Sequence, residues 1–205
     1  MRAVEGRESH VPLSTIGAVP ERLYFSNDDR ANGLLARDPL ALLIGFVLDQ
    51  QVTVQKAFSS PLELQERLGG LDAPAIAAMD TGELERVFAL KPALHRFPGA
   101  MARRTQELCA TLVSDYGGRA ERVWAEAGDG AELERRLLAL PGIGELKAKT
   151  ILAVLGKRLG VRPPGWDEVA PNHPTLGDVD SPEALVAYQA AKRAHKAALR
   201  AKPAP

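Results

Sequence analysis

Leu140-Pro141-Gly142-Ile143-Gly144-Glu145-Leu146-Lys147-Ala148 is the stretch whose reading decides the fold. Ahead of it, Ala131-Glu132-Leu133-Glu134-Arg135-Arg136-Leu137-Leu138 repeats leucine at helical spacing, and behind it Thr150-Ile151-Leu152-Ala153-Val154-Leu155 is an apolar run. The pattern is helix, tight hairpin, helix. Gly142 and Gly144 let the backbone reverse sharply and leave bare N–H groups at the start of the second helix, where the macrodipole favours an anion. A phosphate suits that place. Lys147, Lys149, Lys157, Arg158 and Arg162 outnumber the single acid Glu145 between positions 140 and 162. The same glycines also suit a plain connector between two packed helices.

A chain of 205 residues is long enough to bury a core without staples, as one large domain or two small lobes. Hydrophobic content of 45% and charged content of 25% are ordinary globular values. Lysines and arginines balance acids at 26 each, so the formal net charge is zero. A nucleic-acid binder with that balance must gather its cations on one face. The single cysteine, Cys109, excludes an internal disulfide, a four-cysteine zinc site and an iron–sulfur cluster. It stands among Leu108, Leu112 and Val113 and reads as a packing thiol. No apolar run reaches the roughly 18 to 20 residues that span a bilayer, and no signal-peptide core is present. The expectation is a cytoplasmic protein that has no membrane contact.

In chain order, residues 1–20 read as a flexible leader. Asn27-Asp28-Asp29-Arg30 opens a short capped helix, and Asp38-Pro39 supplies an N-cap and first-turn proline for the next. That helix, Leu40-Ala41-Leu42-Leu43-Ile44-Gly45-Phe46-Val47-Leu48, is apolar all round and should be buried. It delivers Asp49-Gln50-Gln51-Val52-Thr53 at its end. Further helical segments are expected at 54–59, 61–68, 73–78, 81–89, 99–116, 120–127 and 131–139, with Asp80 and Asp129 starting two of them. Alternating strand patterns are absent, and aromatic content of 5% fits a helical bundle. Ser181-Pro182-Glu183 starts a last helix carrying Lys192, Arg193, Lys196, Arg200 and Lys202, which either lies along DNA or is a solvated end.

The hairpin LPGIG, the apolar helix that ends in Gln50-Gln51, and the Gly/Pro-rich loop Leu159-Gly160-Val161-Arg162-Pro163-Pro164-Gly165-Trp166-Asp167-Glu168 together resemble the HhH-GPD superfamily of base-excision DNA glycosylases, over residues 38–168. The closest resemblance is to short members without the iron–sulfur cluster. It implies an all-α, two-lobed helix-hairpin-helix fold, with segments 21–40 and 139–205 forming one lobe around a central helical bundle at 41–138. It implies a monomer acting on double-stranded DNA that contains a damaged base. Gly142, Ile143 and Gly144 with Lys147 and Lys149 would grip a DNA phosphate, and a monovalent cation could bridge the hairpin at Leu140 to Gly144. Gln51, with Gln50 beside it, would fill the gap left by an extruded base, a role that needs a polar amide presented at a turn.

By the same resemblance the loop before the long helix carries a wedge. Leu94, His95 and Phe97 are candidates for it, with Arg96, Arg103 and Arg104 on phosphates. Asp167, with Glu168 in reserve, would stabilise the cationic sugar as the glycosidic bond breaks. Trp166 would stack in the base pocket or anchor the core. Members that also cut the strand use a lysine two positions after the second hairpin glycine; Leu146 stands there, so hydrolysis without lyase cleavage is implied. Val169-Ala170-Pro171-Asn172-His173-Pro174 ends any helix after Asp167 almost at once. That departure leaves a second function open: a noncatalytic DNA-binding or repair-scaffold protein that kept the hairpin and lost the acid.

Overall fold

The computed structural model describes residues 20–201 and is helical throughout, with no strand among them. The leader expected over 1–20 lies outside these residues apart from Pro20, as does Lys202. The first helix, α1 (Asp29–Arg37), is capped by Asp28, whose carboxylate accepts the N–H groups of Arg30 and Ala31. Asp38 does the same for α2 (Pro39–Leu48), accepting from Leu40 and Ala41, with Pro39 in the first turn. Every residue of α2 from Leu40 to Leu48 is buried. Phe46 meets Phe58 edge-on at 5.0 Å, and Phe58 lies so close to Gly45 that a Cβ there would overlap its ring.

Two expected segments, 54–59 and 61–68, form one continuous helix α3 (Val54–Leu68) with Pro61 inside it. Proline removes one helical N–H. The turn survives because Ser59 and Ser60 are hydrogen-bonded within it and the Ser60 hydroxyl also lies 2.7 Å from the Leu94 carbonyl, tying the segment to a distant loop. Helices α4 (Ala73–Ala78) and α5 (Thr81–Ala89) pack on the long α6 (Pro98–Tyr116). Cys109 is buried there, and burial pushes its thiol up to about 12. The expected helix at 120–127 shrinks to α7 (Arg122–Ala125), following the left-handed pair Gly117 and Gly118.

Helix α8 (Gly130–Ala139), capped by Asp129, leads through the hairpin into α9 (Glu145–Arg158). α9 is the axis of its surroundings. It is contacted by α8, by the one-turn helix α10 (Trp166–Val169) and by a 3₁₀ turn at Leu176–Asp178. The final helix α11 (Pro182–Ala201) starts with the Ser181 hydroxyl accepting the Ala184 N–H, as its sequence predicts. No single described helix is long and apolar enough to cross a membrane.

Candidate nucleic-acid interface

The hairpin begins where Leu140 ends α8 with its side chain buried. The Ile143 N–H closes the turn on the Leu140 carbonyl at 3.1 Å, and the Ile143 side chain is buried too. Ile143 therefore offers only backbone to a ligand. Gly142 sits at φ +82°, and a Cβ there would lie 2.7 Å from Arg104 Cδ, so both backbone and packing demand glycine. Gly144 is the N-cap of α9, supplies no side-chain cap, and has open space around it. The N–H groups of Gly144, Glu145, Leu146 and Lys147 consequently lack a protein partner among the described residues.

An open depression of about 610 Å³ lies over this turn, lined by Gln50, Arg104 and the run from Gly142 to Lys147. Leu146 is two-thirds exposed within it. Lys147 turns the other way, donating to the carbonyls of Gly142 (3.2 Å) and Val47 (3.3 Å), which pins the hairpin to the end of α2. Burial lowers its pKa to about 8, with Asp49 opposing that shift and Arg104 adding to it.

At the cation site expected over Leu140 to Gly144, three of the five carbonyls already accept a hydrogen bond. Leu140 already accepts from Ile143, Gly142 from the Lys147 ammonium, and Gly144 from Ala148. The Pro141 and Ile143 carbonyls are uncommitted, and each of the other three keeps a second lone pair. The ammonium itself places positive charge there.

The glutamine turn is braced from three sides. Gln50 Nε2 donates to Val47 O at 3.2 Å, and Arg104 donates to Gln50 Oε1 at 3.0 Å. His95 is buried, with Nδ1 accepting the Phe97 N–H at 3.0 Å. Its Nε2 therefore carries the proton and donates to Gln50 O at 2.8 Å. Burial first of all, and the Arg96 and Lys56 charges, lower the His95 pKa against the hydrogen bonds from the turn. Gln51, by contrast, is exposed and stands at φ +53°, the one non-glycine residue with positive φ among those described. Of the two glutamines, Gln50 is committed to the scaffold and Gln51 is presented.

Several expected contacts are corrected by burial or pairing. Leu94 is fully buried and His95 nearly so, which removes both from any wedge. Of the residues expected to contact DNA from that loop, Arg96 and Phe97 are exposed, with the guanidinium 4.8 Å from the ring centroid. Arg103 is paired with Glu85. Lys149 is held by Glu134 at 2.7 Å and donates to Val169 O at 2.8 Å, so it staples α8, α9 and α10 together. Trp166 is buried against Gly156 and donates to Leu152 O at 3.0 Å, with Arg162 stacked on it. It anchors the core and lines no base pocket.

Asp167 and Glu168 are exposed on α10, without a hydrogen-bonded or ionic partner among the described residues, and neither lines the depression. Lys147 and Lys149 are two residues apart, about 200° around a helix. The first reaches α2 and the second reaches α10, so α9 separates the two acids from the glutamine turn.

A different acid lies at that turn. Asp49 ends α2 through its backbone N–H, which donates to Gly45 O at 3.0 Å. Its half-buried carboxyl has its pKa raised by burial, against the pull of Lys192 and Lys147. Tyr188 of α11 also faces it, and burial together with Asp49 and Asp178 raises the tyrosine pKa. Gln55 and Gln189 exchange hydrogen bonds at 3.1 and 2.8 Å, fastening α3 to α11 beside this cluster. The sequence signal was an acid closing an otherwise apolar helix. Its neighbours from α9 and α11 are distant in the chain. Neither a protein-family model nor a curated protein matches this sequence.

Proposed function

We propose that this chain is a monofunctional DNA glycosylase of the helix-hairpin-helix type, which extrudes a damaged base from double-stranded DNA and hydrolyses its N-glycosidic bond. In this reading the two-lobed arrangement groups 21–40 with 139–205 around the bundle 41–138. The observation that carries it is Gln51, an exposed amide held in a strained left-handed conformation on a rigid turn, next to an uncapped glycine hairpin. The free N–H groups and dipole of α9 bind a backbone phosphate, fixing the register of the duplex. Gln51 then enters the stack, where its amide replaces base-pair hydrogen bonds, and unstacking costs a few kcal/mol, less at a lesion. Arg96 and Phe97 form the exposed contact of the neighbouring loop. With Leu146 at the place of a lyase nucleophile and Lys147 bonded to carbonyls, the product is an intact strand with an abasic site.

The test is a panel of duplexes, each with one defined lesion, incubated with the protein and divided into aliquots with and without hot alkali. Strand breaks only after alkali support the reading. Breaks without alkali would reveal a lyase. The exposed, unpartnered state of Asp167 and Glu168 favours a second reading, a noncatalytic DNA-binding or scaffold protein. It predicts salt-sensitive duplex binding with no excision of any lesion.

A further inference from the structure

Glycosidic hydrolysis through an oxocarbenium-like transition state needs a carboxylate beside the reacting sugar. Where that sugar lies follows from the finger, because the extruded nucleotide remains joined to the strand at the gap that Gln51 fills. Asp49 is two residues before Gln51, so their Cα atoms lie within about 7.6 Å of one another by chain geometry alone. Asp167 and Glu168 stand across α9.

Resting on the glycosylase reading above, we propose that Asp49 is the catalytic carboxylate of this site.

The surroundings of Asp49 support that role. Its carboxyl makes no hydrogen bond and no ion pair among the described residues, although it is half-buried. Neither carboxylate oxygen is fully buried, so water reaches the group. Lys147 spends its donors on Val47 O and Gly142 O instead, leaving the carboxylate without a side-chain partner while the lysine's charge still acts on it; Asp49 lies beside Gln50 at the edge of the depression rather than in its lining. Lys192 adds a second positive charge from α11, and Tyr188 stands on the same helix. Burial disfavours the ionised form and the two lysines favour it, the balance expected of a group that must be anionic yet reactive. Arg104, beside Lys147 and bonded to Gln50, joins this cluster to the glutamine turn.

The chemistry balances without a further reactant. The oxygen of water bonds to C1′ while the C1′–N bond breaks, and the electron pair of that bond leaves with the base. One proton of the water passes to Asp49 and on to the departed base. The products are the free base and an abasic sugar, with Asp49 again ionised.

The experiment compares single-turnover excision by the full chain and by Asp49→Asn, Asp167→Asn and Glu168→Gln, with thermal melts and binding to a duplex containing a tetrahydrofuran abasic analogue. Asp49→Asn should lose at least about 100-fold in excision rate. It should keep its binding and melt no lower at pH 7, because an amide is free of the penalty of burying a charge. Asp167→Asn and Glu168→Gln should stay within about threefold of the parent. If Asp49→Asn excises as well as the parent, this proposal alone is overturned. If the parent cuts no lesion, the glycosylase reading falls and this one with it. Should Asp49→Asn melt early, Lys147→Met decides: loss of the ammonium must move the acid limb of the excision pH profile to higher pH, and an unmoved limb overturns the assignment.

Discussion

Gln51 occupies a conformation that costs a residue with a Cβ roughly 1–2 kcal/mol. Gln51→Gly should therefore stabilise the fold by up to about 1 kcal/mol, read as a higher urea midpoint. The same variant should fail to hold a base out of the stack, measured with 2-aminopurine fluorescence beside the lesion. A gain in stability with a loss of extrusion is the signature of strain kept for function; loss of both would make the turn merely structural. His95 gives a pH test at the same turn. Burial keeps its pKa below 6.5, so between the folded value and 6.5 the unfolded chain binds more protons. Stability present above pH 6.5 is lost as pH falls through the folded value, and His95→Gln should flatten that part of a melting-temperature profile. The position of Gln51 at the end of an apolar helix is visible in the sequence, and the resemblance is what attaches a role to it. The surroundings of His95 and Asp49 are not visible there. Each depends on contacts made across 45 to about 140 residues of chain.

At the scale of elements, α9 explains both what the sequence revealed and what it concealed. Its hairpin is legible because the turn needs glycine at Gly142 and the leucines on either side keep helical period. Helix starts at Asp28, Asp38, Asp80, Asp129 and Ser181 are legible for the same reason: caps are local chemistry. The side of α9 that α10 occupies is not local. It is set by the Trp166 indole seated on Gly156 and by Lys149 bonded to Val169 O. Gly156→Ala would drive a methyl into that indole, so it should destabilise by about 1–3 kcal/mol. Because α10 braces the fold from across α9, the surviving folded fraction should excise at the parent rate at a permissive temperature. A specific loss of excision in the folded variant would return a catalytic part to Asp167. Gly142→Ala should behave otherwise, losing both stability and duplex affinity, since it strains the turn and displaces Arg104 from the hairpin.

For the whole molecule, zero net charge turns a DNA-binding surface into a question of which cations remain free. Much of the basic content is spent on ion pairs: Arg22 with Asp29, Arg30 with Glu66, Lys56 and Arg67 with Glu63, Arg103 with Glu85 and Lys149 with Glu134, among others. The Arg22, Arg30 and Arg103 pairs are exposed and add little stability, those of Lys56, Arg67 and Lys149 are partly buried, and all of them withdraw charge from any phosphate. With Lys147 spent on backbone carbonyls, the groups left around the hairpin and the glutamine turn are Arg96, Arg104 and Lys192. Three phosphate contacts give a slope of about −2.7 for log affinity against log salt. Between 50 and 200 mM salt, binding to a lesion duplex should then weaken roughly 40-fold. Arg104→Ala should reduce the slope by about one. A slope far steeper would recruit the basic end of α11 as a second DNA contact. A flat response, with Arg104→Ala indistinguishable from the parent, would mean that the depression over the hairpin does not receive a phosphate, and both DNA readings would fail together.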